Sequence, residues 1–121
     1  MTIRQLLFTL CFTGILSLVA TPGLAAEAEG TASYYADSLQ GNKTASGETY
    51  NKNAMTAGHH TLPFGTKVKV TYLKTGKSVE VSVNDRIPNK KKTIIEVSGA
   101  AAAELGLKED GMGKVKIEYS E

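Results

Sequence analysis

An all-β fold, a small barrel of short strands carrying one or two short helices, is what this sequence predicts. Three segments alternate apolar and polar residues with the period of a half-buried strand. Glycine-bearing turn signals separate them. Only one short stretch has the composition and end signals of a helix.

Taken in order, "GTASYYAD" (30–37) reads as a first strand. The polar, glycine-punctuated stretch "LQGNKTASGETYNKNAMTAGHHTLPFG" (39–65) then reads as irregular. Such long irregular segments inside a compact domain are usually functional or disordered, and its Thr, Gly, Glu and His content points to function. "TKVKVTYL" sets Val68, Val70 and Tyr72 against Lys67, Lys69 and Thr71, and "SVEVSV" repeats the alternation with Val79, Val81 and Val83. With "KTG" between them the two form a hairpin, whose second strand is expected to stop at Asn84–Asp85. "KTIIEVS" is a further strand. Ser98 is placed to N-cap a short helix over "GAAAAELGL", and Gly106 to end it. "GKVKIEYS" closes the chain, with Val115, Ile117 and Tyr119 on one face.

Residues 1–25 stand apart from this pattern. Arg4 precedes an apolar run from Leu6 to Val19, and the small residues of "TPGLAAEAEG" follow. That is the layout of a secretory signal peptide, cleaved after Ala25 or Ala28. The run is too short to span a bilayer comfortably, so no stable membrane insertion is expected. Cys11 lies inside the run, behind a bulky leucine, which argues against lipoprotein anchoring. Residues 26–121 form one domain with a single small core. They hold no cysteine, which suits a periplasmic or secreted location. They carry 13 basic and 12 acidic residues, a balance that gives no electrostatic case for nucleic acid. A monomer is expected.

The candidate chemistry is carried by acids and one histidine pair. Asp85 ends a strand in "VNDRIPNKKK". On spacing alone it is either half of an exposed Asp85–Arg86 pair, a contact that contributes about 0–1 kcal/mol, or a proton donor on a rigid support. Arg86 and Lys90–Lys92 stabilise a negative charge, so proton donation would need burial or a second carboxylate. Glu96 is a candidate for that second acid, since alternation places it on the face of Ile94. Glu48 lies in the loop "TASGE". His59 and His60 point to opposite faces of an extended chain; with no HExxH and no cysteine beside them, neither a metal nor a cofactor is expected. Tyr34, Tyr35 and Tyr50 could stack on sugar rings or belong to the barrel core. There is no GxSxG and no phosphate-cradling glycine loop.

The blocks "GTASYYAD", "TASGETYN", "MTAGHHTLPFGTKVKVTYLKTGKSVEVSVNDRIP" and "IIEVSGAAAAELGL" resemble, in this order, the signature blocks of the rare lipoprotein A (RlpA) family, from about Gly30 to Tyr119. The resemblance implies a six-stranded double-psi β-barrel, related to barwin and the expansins. It also implies action on the glycan strands of peptidoglycan, as a lytic transglycosylase that cleaves MurNAc–GlcNAc links in peptide-poor strands. Carried over position by position, the residues of that activity fall on Glu48, His59 and Asp85. Asp85 is expected as general acid and base, with the other two positioning substrate or tuning it. Glu96, Arg86, Tyr34 and Thr44 are expected to bind substrate. His60 occupies a variable position and receives no role.

Two departures bear on the site. Ile87 stands where the family has glycine, and a β-branched residue there is expected to crowd the acid if that glycine serves close glycan approach. Glu96 replaces the usual aspartate. A non-catalytic, expansin-like peptidoglycan-binding module is the alternative reading.

Overall fold

A computed structural model of the chain describes residues 25–88 and 92–120. Six strands close into one barrel: β1 (Ala25–Tyr34), β2 (Thr56–His59), β3 (Lys67–Tyr72), β4 (Ser78–Arg86), β5 (Thr93–Val97) and β6 (Gly113–Ser120). Their order around the barrel is β1-β5-β2-β4-β3-β6. The pairs β1/β5 and β2/β4 are parallel, the others antiparallel. The expected signal peptide lies outside the described residues, apart from Ala25. Among the described residues, no helix is long and apolar enough to cross a membrane.

The hairpin forms as its alternation requires. Val68 faces Val81 and Val70 faces Val79 across β3 and β4, and all four side chains enter the core. Val115 and Ile117 of β6 join them from the other side of β3. Helix α1 (Gly99–Leu105) begins at Ser98, whose Oγ accepts the Ala101 N–H at 3.2 Å and donates to the Ala54 carbonyl at 2.6 Å. It ends at Gly106, whose φ of 79° is the left-handed conformation that glycine adopts without strain. Two of its four alanines, Ala101 and Ala102, are buried with Gly99 and Leu105, and these small side chains let the helix pack against β1 and β4. A single 3-10 turn, Asp37–Leu39, is the second short helix.

Three expectations are corrected. The stretch 39–65 is not irregular throughout, because β2 lies inside it and is central, hydrogen-bonded to β4 on one side and β5 on the other. "TAGH" shows no alternation because Ala57 and Gly58 offer almost no side chain to pattern. Strand β4 does not stop at Asn84–Asp85 but runs through Arg86. Strand β1 starts before Gly30, with Ala25–Glu29 paired to Ser120–Lys116 of β6.

Candidate active site

One irregularity in the barrel aims the acid. Along β2 and β4, Ala57 pairs with Val83 but the next residue, Gly58, pairs with Asp85, so Asn84 is an extra residue on β4. Strict alternation from the buried Val83 would return Asp85 to the core. The bulge reverses the phase and puts it on the outer face. Gly58 also pairs with Glu96 of β5, and Glu96 with Ser33 of β1. Asp85, Gly58, Glu96 and Ser33 therefore form one row across four strands. Ser33 Oγ donates to Glu96 Oε2 at 3.2 Å.

Asp85 is held from two directions. Its Oδ1 accepts the Ala45 N–H at 2.8 Å and the Arg86 N–H at 2.9 Å. Its Oδ2 accepts the Tyr35 hydroxyl at 2.5 Å. Oδ1 thus has both lone pairs engaged, while Oδ2 keeps one. The ring of Tyr35 stacks on Tyr50, with centroids 4.5 Å apart and planes within 13°. Tyr50 in turn accepts the Gly99 N–H at 3.1 Å. Burial pushes the Tyr35 phenol far above its ordinary value, and the Asp85 and Glu96 charges push the same way. It therefore keeps its proton near neutral pH and donates to the carboxylate.

The loop that supplies Ala45 is built by its own side chains. Lys43 and Thr49 form an isolated antiparallel bridge. Thr44 Oγ1 donates to the Glu48 carbonyl at 2.8 Å, and Gly47, at φ 93°, turns the chain. Docking onto the bulge follows: Ser46 N–H donates to the Asn84 carbonyl at 3.2 Å, and Asn84 Nδ2 donates to Glu48 Oε1 at 3.0 Å. Glu48 therefore touches the residue before the acid and not the acid itself. Thr44 is buried and hydrogen-bonded within the loop, which makes it a support of the site in place of the expected substrate contact.

His59, at the end of β2, makes no hydrogen bond to Asp85. Its Nδ1 accepts the N–H groups of Thr61 and Leu62, both at 3.1 Å. The proton of the neutral ring is therefore on Nε2. Burial holds His59 below its ordinary value, with the charges of His60 and Arg86 acting in the same direction. Arg86 meets the Asp85 carboxylate through its backbone N–H alone; its guanidinium lies 3.4 Å from the Asp85 carbonyl oxygen and 4.2 Å from the centre of the half-exposed Phe64 ring. Tyr34 does not join the row either: its hydroxyl donates to the Lys108 carbonyl at 2.8 Å and its ring packs on the core.

Ile87 does not stand in the open face beside the acid, because its side chain is only 5% exposed. Its Cγ2 lies 3.3 Å from the place a Gly58 Cβ would take, so it fills the floor of the site. His60 has a role that the sequence did not disclose. Its Nδ1 lies 3.0 Å from the Ile87 carbonyl and its Nε2 3.1 Å from the Thr93 carbonyl, so whichever nitrogen carries the ring proton donates to one end of the loop after Asp85. Tyr35 is the direct partner of the acid, and only its place in "SYYAD" hinted at it. A concavity of about 690 Å³, lined by Lys74, Lys77, Lys108 and Asp110 among others, contains none of the row residues. The row is half-buried at Asp85, Glu96 and Ser33 and buried at Gly58.

The lytic transglycolase family model matches residues 27–117. The chain is 47% identical over 89 residues to the "Probable endolytic peptidoglycan transglycosylase RlpA" of Synechocystis, which covers 74% of this chain and 28% of that protein. It is 51% identical over 89 residues to the endolytic peptidoglycan transglycosylase RlpA of Pseudomonas aeruginosa strain UCBPP-PA14, covering 74% and 26%. For the protein of the same name from Rickettsia bellii the identity is 50% over 93 residues, covering 74% and 41%. The chain thus spans well under half the length of each of these relatives. Among solved structures, the Streptomyces papain inhibitor superposes with a TM-score of 0.63 at 24% identity, covering 79% of this chain and 96% of that one. An expansin mutant of Clavibacter michiganensis, in complex with cellohexaose, gives 0.61 at 20%, covering 79% and 51%. The six-stranded closed barrel is the fold they share.

Proposed function

Because this chain belongs to the lytic transglycolase family, we propose that its barrel cleaves the glycan strands of peptidoglycan by transglycosylation, with Asp85 as general acid and base. The observation that carries this reading is the asymmetry of the carboxylate. Two backbone N–H groups occupy both lone pairs of Oδ1, whereas Oδ2 accepts the Tyr35 hydroxyl and keeps one lone pair. A proton on Oδ2 passes to the glycosidic oxygen between MurNAc and GlcNAc as the C1–O4 bond breaks, and GlcNAc leaves with a free 4-hydroxyl. The same oxygen then accepts the proton of the MurNAc 6-hydroxyl as O6 bonds to C1. The acid is restored and no water is consumed.

One carboxyl group suffices for this cycle, whereas glycoside hydrolysis ordinarily uses two at a defined separation. Glu96 and Ser33 extend the row and would contact a sugar on the far side of Gly58. Arg86 on Phe64 would contact one near the other end. Glu48 and His59 act on the backbone around the acid through Asn84 and the 61–62 turn. Export by residues 1–25 brings the domain to the cell wall, in the periplasm or outside the cell.

Peptidoglycan treated with amidase to remove its stem peptides is the substrate for the test. Mass spectrometry of the products should reveal 1,6-anhydroMurNAc ends that disappear in Asp85→Asn. Sedimentation with the glycan but no such products, even at high protein concentration, would leave the non-catalytic binding module instead.

A further inference from the structure

We infer that Tyr35 is a positioning residue for the acid: its hydroxyl selects Asp85 Oδ2 as the oxygen that carries the catalytic proton and fixes the direction in which it is delivered. The inference rests on the reading of Asp85 as the acid and extends it to a residue 50 positions away in the chain.

Three features of the geometry support it. The Tyr35–Asp85 contact, at 2.5 Å, is the shortest that the carboxylate makes. The tyrosine cannot turn away, because its ring is 6% exposed and stacked on Tyr50, whose own hydroxyl is tied to the first residue of α1. The hydroxyl also crosses the row above Gly58, where a Cβ would stand 3.0 Å from its oxygen. A side chain at position 58 would close the path between tyrosine and acid. The Tyr35 phenol, pushed upward by burial and by Asp85, keeps its proton and donates in both states of the carboxyl group. Glu96 and Tyr50 are the other titratable groups that act on it. With Oδ1 saturated by Ala45 and Arg86, a proton arriving at the carboxylate goes to Oδ2, and the tyrosine bond holds that oxygen's remaining lone pair toward the outer face.

Tyr35→Phe keeps the ring and removes only the donor. It should lower kcat about 10- to 100-fold, as expected for loss of a charge-assisted hydrogen bond, with KM within about twofold of wild type. The titration of the Asp85 carboxyl, followed by carbon-13 NMR, should move upward because the charged form has lost a donor. Tyr72→Phe is the control. It removes an equally short phenol–carboxylate bond, to Asp110, from an equally buried ring outside the row. Its melting temperature should fall much as in Tyr35→Phe while kcat stays at the wild-type value. Wild-type kcat in Tyr35→Phe, or an unmoved Asp85 titration, would overturn the inference. If the wild-type chain cleaves no glycan, the catalytic reading fails, and the NMR titration still decides the coupling of the two residues. Should Tyr35→Phe fail to fold, site-specific 3-fluorotyrosine at position 35, a stronger donor, must move the same titration downward.

Discussion

The hydroxyl of Tyr35 passes over Gly58 with no room for a side chain beneath it. A Cβ added at Gly58 would stand 3.0 Å from that oxygen, 3.3 Å from Ile87 Cγ2 and 3.5 Å from Asp85 Cβ. Glycine at this point of β2 is what lets a residue from the end of β1 reach an acid on β4.

Gly58→Ala should therefore act on the site more than on the fold. Overpacking of this size costs about 1–3 kcal/mol. The Tyr35 hydroxyl must shift, and turnover should drop by at least the loss seen in Tyr35→Phe. Denaturant unfolding and product mass spectrometry on the same preparation check both halves; full activity in Gly58→Ala would show that the tyrosine path is dispensable.

Ile87→Ala should destabilise the chain by about 2–4 kcal/mol, the usual cost of truncating a buried isoleucine. It should bring no gain in cleavage, since the side chain lies in the floor and not across the outer face. An alanine variant that matched wild-type stability and cut faster would return Ile87 to the role of an obstruction.

His59 gives the fold an acid-side weakness. Its folded value lies below its ordinary one, chiefly through burial. As pH falls below about 6.5, the unfolded chain therefore takes up a proton that the folded chain refuses until lower pH. The unfolded state binds more protons in that window, so stability declines as pH falls through it and levels off below the folded value. His59→Asn retains an acceptor for the Thr61 and Leu62 N–H groups but cannot titrate. Its unfolding free energy should decline less than that of the wild type from about pH 6.5 to 5, measured by urea titration at stepped pH. Equal slopes in the two proteins would contradict the assignment.

Strand β1 makes a statement about its own beginning. Ala26, Glu27 and Ala28 pair with Tyr119, Glu118 and Ile117 of β6. A chain that starts at Glu29 loses these ladder bonds and should melt several degrees below one that starts at Ala26. Of the two cleavage positions expected from the sequence, the one after Ala25 keeps them; if the chain is exported, intact-mass measurement should find Ala26 at its N-terminus. Equal melting temperatures for the two lengths would remove the structural reason for that choice.

His60→Ala should loosen the backbone beside the acid. The ring lies between the Ile87 and Thr93 carbonyls and its single N–H donates to one of them at a time, a bond whose loss costs about 0.5–1.5 kcal/mol. Amide exchange next to these carbonyls should quicken in the variant, while unchanged protection would argue that water replaces the ring without consequence.

Much of this protein is determined by sequence alone, through short-range rules. Alternating valines make the β3–β4 hairpin because apolar burial has the period of the strand. Ser98 and Gly106 bracket α1 because helix ends need an oxygen acceptor and a left-handed residue. Glu96 falls on the outer face beside Ile94 for the same reason of period. The tertiary structure decided what these rules do not reach. β2 was hidden because Ala57 and Gly58 carry too little side chain to form a pattern, and its pairing with β4 and β5 is settled only by closure of the barrel. The bulge at Asn84 reverses the alternation by one residue, and that reversal alone moves Asp85 from the core face to the open one. Partners 36 and 50 positions away, Glu48 to Asn84 and Tyr35 to Asp85, meet because barrel closure brings the 43–49 loop and the end of β1 to the bulge of β4. Asp85 can be picked out from its local string, but only the tertiary structure gives its two oxygens different partners, backbone N–H groups on Oδ1 and the Tyr35 hydroxyl on Oδ2.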